Sequence, residues 1–291
     1  MTRRAAFSLL VVSALLFGLM AFLSKLACRT YDGASVAGIR FTFGALATGA
    51  LWASGRVNAR PGNLPLLLVR GTTGGVAVVL YFLTIQHLSV GLATLLNYTS
   101  PPFTVFLARF FLGERLVKGG ATALALTMLG VVLVVLGQPH AAGPGGAATH
   151  AADPLWVALG LLSAVCSAGA ITSIRALRSG PTPESVWSIF FSFCVVGALC
   201  SVPAAGPLHA PDATEAALLV GVGASAMLAQ LGMNSVMRWV PAAFFGITAQ
   251  LSVIFTMALG ALLLGEQWTP LSALGAAVTL GGVAYAARLN R

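Results

Sequence analysis

Apolar residues fill stretches of about 20 positions, separated by short polar turns, along almost the whole chain. Helices that cross ~30 Å of hydrocarbon need that length. Ten such spans are predicted: 5–27, 34–54, 64–85, 90–112, 119–137, 154–175, 184–204, 214–236, 241–264 and 270–288. Between them lie turn formers: Asp32-Gly33, Arg60-Pro61-Gly62, and Pro207 through Pro211. Polar positions inside the spans keep helical spacing. In the fourth, Thr94, Asn97, Ser100, Pro101 and Thr104 form one stripe; in the ninth, Thr248, Ser252 and Thr256 form another. The longest connection, 138–153, is rich in Ala, Gly, Pro and His and reads as an external flexible linker.

The spans repeat. Ser35, Val36, Ile39, Phe41 and Phe43 recur 150 residues on as Ser185, Val186, Ile189, Phe191 and Phe193. Leu67-Leu68-Val69 returns as Leu218-Leu219-Val220. Ser100, Phe103, Thr104, Leu112, Gly113 and Glu114 return as Ser252, Phe255, Thr256, Leu264, Gly265 and Glu266. Five spans per half is an odd number, so the second half enters the membrane from the opposite side. The expected fold is therefore an all-α integral membrane protein with ten transmembrane helices in two inverted five-helix repeats. Residues 1–137 are the first repeat and 154–291 the second. Inverted repeats of this kind mark secondary transporters, with the solute site where the halves meet.

Composition agrees with a bilayer as solvent. Charged residues are 8% of the chain, against roughly 25% in soluble domains, and the mean hydropathy is +0.92. Glycine, at 33 residues, serves close packing of membrane helices; Gly71 with Gly75 and Gly221 with Ser225 are read as such contacts. Cys28, Cys166, Cys194 and Cys200 show no metal-ligand spacing and are expected to be free thiols. Arg3-Arg4 before an apolar run resembles a signal peptide, but the run from Ala5 to Leu23 is long for one and no small-x-small site follows. Lys25 also spoils the faint lipoprotein pattern at Leu26-Ala27-Cys28, so a retained first span is expected.

The net charge of +9 is placed on one side. With the N-terminus in the cytoplasm, the inner side collects Arg3, Arg4, Arg56, Arg60, Arg70, Arg109, Arg115, Lys118, Arg175, Arg178, Arg238, Arg288 and Arg291. Only Lys25, Arg29 and Arg40 fall outward. This predicts a multi-pass protein of the cell (inner) membrane with both termini cytoplasmic. The charge is thus a topology signal, and no nucleic-acid partner is expected.

Phe17-Gly18, Ile39-Arg40-Phe41, Tyr81-Phe82, Leu92-Ala93-Thr94 through Pro101, Leu112-Gly113-Glu114-Arg115 and Gly130-Val131-Val132 form a further pattern. Together they resemble the EamA-like branch of the drug/metabolite transporter superfamily, over nearly the whole chain. The second half departs from it: Val253 stands opposite Pro101 and Phe190 opposite Arg40. The resemblance implies alternating access around a central cavity lined by the first, third, fourth, sixth, eighth and ninth helices. It also implies a small-molecule cargo such as an amino acid, metabolite, purine or drug, often moved outward.

Candidate substrate-binding residues are Arg40, Tyr81, Asn97, Ser100, Gln230, Asn234 and Ser252. Ser and Thr in spans can bond their own helix carbonyls, whereas the Asn97 amide needs outside partners. Pro101-Pro102 removes two backbone donors near mid-helix and is expected to break or kink it, freeing carbonyls. Gln230 and Asn234 share a face with Met227 and Met237; cavity lining and helix packing explain them equally. Tyr98 and Gln250 flank the two stripes at equivalent places. Arg40 lies about 9 Å into its helix, where burial of a charge costs roughly 2.5–3.5 kcal/mol. It reads as an anion site or gate, or as an anchor snorkelling to the interface. Glu114 and Glu266 end their helices and are expected to accept bonds from a neighbouring helix end or an Arg.

No Asp or Glu falls deep in a predicted span, which favours facilitated diffusion or exchange over proton or sodium coupling. A membrane enzyme is disfavoured: there is no His-Glu-x-x-His, no Gly-x-Ser-x-Gly and no paired intramembrane acid, and His87, His140, His150 and His209 are scattered. No nucleotide-hydrolysing motif is present, and no cofactor is expected. The leading reading is a secondary transporter for an amino acid or related amphipathic solute. The alternative is a carrier of organic or phosphorylated anions that uses Arg40.

Overall fold

The computed structural model describes residues 3–87, 96–137, 154–264 and 268–289, all of it helix and connecting turns. The helices are α1 (Arg3–Ala27), α2 (Gly33–Ala53), α3 (Leu64–His87), α4 (Ser100–Leu112), α5 (Gly120–Leu136), α6 (Pro154–Ser179), α7 (Val186–Ser201), α8 (Ala213–Val236), α9 (Ala242–Ala249), α10 (Leu251–Leu264) and α11 (Pro270–Leu289). Eight segments are long and apolar enough to cross a membrane, counting Ala242–Leu263 as one; α4 and α5 are shorter apolar helices. Phe106, Phe110, Leu46, Leu199 and Leu262 are each at least 67% exposed. In water such a belt would drive aggregation, and in lipid it costs nothing. The protein is therefore a multi-pass membrane protein. Thr94, Asp153, Glu266, His140, His150 and the linker 138–153 lie outside the described residues.

Helices of the first half pack mainly on helices of the second. α1 lies on α8 and α3 on α6; α3 also meets α7, and α2 meets α7 and α8. α4 packs on α6, α1 on α10, and α5 pairs with α11. Small residues make these approaches possible: a Cβ at Gly75 would stand 3.0 Å from the Cα of Gly197.

The cross-half hydrogen bonds recur at the offset seen in the sequence. Ser13 on α1 donates to the Ala229 carbonyl on α8 (2.8 Å), and Ser163 on α6 donates to the Ala77 carbonyl on α3 (2.8 Å). On one face Asp32 caps α2 and also accepts the Gly206 N–H at 3.0 Å. On the opposite face Glu184 accepts the Gly62 N–H at 3.0 Å and the Asn63 N–H at 2.8 Å. There Ser185, the N-cap of α7, donates to the Asn58 carbonyl at 2.7 Å. In each case the turn before one helix grips the turn after its counterpart. These two surfaces are called below the Asp32 face and the Glu114 face.

Candidate functional site

Two interrupted helices meet inside the bundle. Backbone described from Leu96 is helical to Asn97, turns at Tyr98-Thr99, and begins α4 at Ser100 with proline in its first turn. A single helix over 90–112 was the expectation, with a break at the prolines; α4 in fact starts one residue before them, because Pro101 and Pro102 suit the first turn, where no N–H partner is needed. The predicted span 241–264 is likewise divided, at Gln250, into α9 and α10. Tyr98 and Gln250 are repeat mates, so both interruptions fall at one position of the pattern, although the second half has Val253 in place of a proline. At both the bonding tightens from four residues to three: Thr99 N–H to the Leu96 carbonyl (3.1 Å), Gln250 N–H to Ile247 (3.4 Å) and Val253 N–H to Gln250 (3.1 Å). Such discontinuities turn backbone polar groups toward a site within the membrane.

Several candidate side chains surround them. Tyr98 stands within electrostatic reach of Tyr81, with Ser252 close to its hydroxyl. Ser252 also donates to the Ala249 carbonyl at 2.8 Å, on the last turn of α9. The Asn97 carbonyl oxygen accepts a long bond (3.4 Å) from Ser163, whose shorter bond to Ala77 ties α6 to α3. Ser100 begins α4, and its carbonyl accepts from Thr104 at 3.0 Å. Gln250 is 3% exposed and its side-chain oxygen has no partner. Tyr81, Asn97, Ser100 and Ser252 are thus gathered about the breaks. Ser163 was not among the sequence candidates; its place opposite Ser13 in the repeat was the signal.

The other candidates lie elsewhere. Asn234 donates to the Val186 carbonyl of α7 at 3.3 Å, a helix-packing bond, while its own oxygen stays unpaired. Gln230, one turn earlier on α8, is buried with its oxygen unpaired. Arg40 is half-buried: Nη1 stands 3.2 Å from the Met20 sulfur, and the guanidinium lies 4.8 Å from the Phe41 ring centroid. Arg70, assigned to the inner side by the distribution of Lys and Arg, is 2% exposed on α3, its guanidinium 3.9 Å from the Phe193 ring centroid. A span can carry it there because Gly74, one turn on, leaves the space Nη1 occupies.

On the Glu114 face, Glu114 receives Arg175 Nε at 2.6 Å and the Ala242 N–H at 3.0 Å. Arg175 also donates to the Met237 carbonyl at 2.6 Å. One carboxylate thereby joins the end of α4, the end of α6, the end of α8 and the start of α9, as its position at a helix end led one to expect. On the Asp32 face burial opposes ionisation of Asp32, but bonds from the Ser35 hydroxyl and N–H and from the Gly206 and Ala34 N–H groups outweigh it and hold the carboxyl below its ordinary range. Tyr31 stacks on His209 (centroids 4.3 Å), and His209 pairs with Glu215 at 3.1 Å. The four cysteines are free thiols.

Comparison with known proteins decides the family. The model of the EamA-like transporter family matches twice, over residues 4–136 and 154–288. The chain belongs to the EamA-like transporter family. Among relatives of this family member, the pseudopaline exporter CntI of Pseudomonas aeruginosa (strain UCBPP-PA14) is 28% identical over 260 residues, covering 89% of the chain and 87% of the exporter. An uncharacterized transporter of Helicobacter pylori (strain 26695) is 25% identical over 228 residues, 76% of the chain and 72% of the relative. A solved crystal structure superposes with a TM-score of 0.82 at 18% identity, over 100% of both chains, and shares the fold.

Proposed function

We propose that this membrane transporter is a secondary carrier that moves a small amphipathic organic metabolite, such as an amino acid, outward across the cytoplasmic membrane by alternating access. The carrying observation is the pair of interruptions at Tyr98-Thr99 and Gln250, which fall at one position of the repeat. Two inverted five-helix repeats, 1–137 and 154–291, account for it. In support, the Ser13–Ala229 and Ser163–Ala77 bonds repeat at the sequence offset, and the family model matches each half. The likeness to a pseudopaline exporter supports export of a small metabolite. The arginine distribution supports a cytoplasmic Glu114 face.

Every acid among the described residues sits at or beside a helix end, which supports exchange or facilitated diffusion over ion coupling. Gathered around the breaks, Tyr81, Asn97, Tyr98 and Ser252 offer an aromatic face and hydrogen-bonding groups, the chemistry an amphipathic solute needs. The alternative of an anion carrier is favoured by one observation: among the described residues no acid pairs with Arg40. The test is counterflow of radiolabelled amino acids in proteoliposomes holding the full chain. Saturable exchange that falls at least tenfold in Asn97→Ala, with an unchanged melting temperature, is expected. Exchange no faster than in empty liposomes for every solute tried, or an unaffected Asn97→Ala, defeats the proposal.

A further inference from the structure

Arg70 is the most deeply buried charge among the described residues, and its Nε and Nη1 have no hydrogen-bond partner. Each acid among the described residues is engaged elsewhere. Asp32 holds Ser35 and Gly206, Glu184 holds Gly62 and Asn63, Glu114 holds Arg175 and Ala242, and Glu215 holds His209 while Asp212 caps α8. A guanidinium carries five donors in a planar fork shaped for carboxylate or phosphate. The Phe193 ring covers one face of it, and Nε and Nη1 are left without a partner.

Arg40 stands close by. The two guanidiniums and the buried Cys194 thiol of α7 lie within electrostatic range of one another. Phe41, beside Arg40, packs edge-on against Phe193 at 4.9 Å, so α2, α3 and α7 hold the group as one packed unit. The second half keeps the surrounding helices but has Phe190 at the Arg40 place and Gly221 at the Arg70 place. The fold is thus built twice and the cations once. The two cations repel, and an anion on the Arg70 fork lowers that repulsion and fills the empty donors.

We propose that Arg70, with Arg40, forms an anion subsite between α2, α3 and α7 that takes a carboxylate or phosphate group of the transported solute. The inference rests on the carrier reading above and names the chemical class of its cargo. Arg70 supplies the fork, Arg40 a second charge reached from the Asp32 face, and Phe193 holds the fork in place.

The test is a melting-temperature titration of the detergent-purified full chain with succinate, citrate and inorganic phosphate, each against chloride at equal ionic strength. Neutral succinamide serves as the shape control for succinate. At least one anion is expected to stabilise the parent where chloride and succinamide do not, with an apparent Kd at least tenfold weaker in Arg70→Gln. Ligand-free Arg70→Gln is expected to melt no lower than the parent, since it loses an unpaired buried charge; a purely structural arginine would melt lower. Arg70→Lys keeps the charge without the fork and is expected to fall between, and Arg40→Gln to weaken binding less than Arg70→Gln. No anion-specific gain in the parent, or an equal gain in Arg70→Gln, overturns the proposal. Stabilisation by phosphatidylglycerol added to the micelle, without any soluble anion effect, assigns the arginines to lipid and overturns it as well. Amino-acid counterflow without anion stabilisation leaves the carrier standing and removes this subsite; anion stabilisation without flux does the reverse.

Discussion

Glu114 is a single carboxylate on which four helix ends converge, and its loss should be felt as one event. Its side chain and that of Arg175 are each 17% exposed, so the pair is screened less than a surface bridge. Glu114→Ala leaves Arg175 and the Ala242 N–H short of an acceptor, and should lower stability by about 1–3 kcal/mol. Arg175→Ala should cost a similar amount, and the double variant less than the two added. Melting curves of the four proteins in one detergent check this, and strict additivity would show that the two residues act separately. Asp32 gives a pH signature at the other face. Its folded-state pKa lies below the ordinary value of 3.8, so its contribution is full above that value and is lost as the pH falls through the lowered one. The melting temperature of the parent should therefore drop more steeply between about pH 4 and pH 2 than that of Asp32→Asn. Parallel curves would remove Asp32 from the account.

At the scale of the element, the two interrupted helices separate local from tertiary causes. In the first, Pro101 and Pro102 cannot donate to carbonyls one turn back, so a continuous ladder is chemically impossible there. In the second, no proline stands near Gln250, and the break is held by what surrounds it. Replacing both prolines by alanine restores two donors and should let the helix run on through Thr99. Solute counterflow should fall at least tenfold, with a melting temperature no lower than the parent's. Undiminished counterflow would mean that surrounding contacts alone maintain the first break, as they do the second. The polar stripe, the prolines and the equivalence of Tyr98 with Gln250 were all readable in the sequence. The break at Gln250 was not, since nothing local to Ala249-Gln250-Leu251 disfavours a helix.

For the whole molecule, the interlocked pairing of halves carries a prediction about sidedness. Residues 56 and 210 lie in exposed turns on opposite faces, the first joined to the Glu114 face and the second to the Asp32 face. In a cysteine-free background, Ala210→Cys should react with a membrane-impermeant maleimide in intact cells, and Arg56→Cys only after permeabilisation. The opposite pattern would invert the orientation read from the arginines. The helical class and the membrane setting are local or periodic properties, and both were legible from hydrophobic runs. Which polar groups meet is a different matter. Ser163 reaching Asn97, Asn234 turning to α7 and Arg70 lying under Phe193 depend on which faces of neighbouring helices come together, and sequence spacing places a residue on a face without saying what that face meets. The chain by itself determined that its helices belong in a bilayer, because transfer of apolar residues into lipid is a sum over each segment. Only the packing decided which buried charges and amides are satisfied and which stay open, because that depends on partners far apart in sequence.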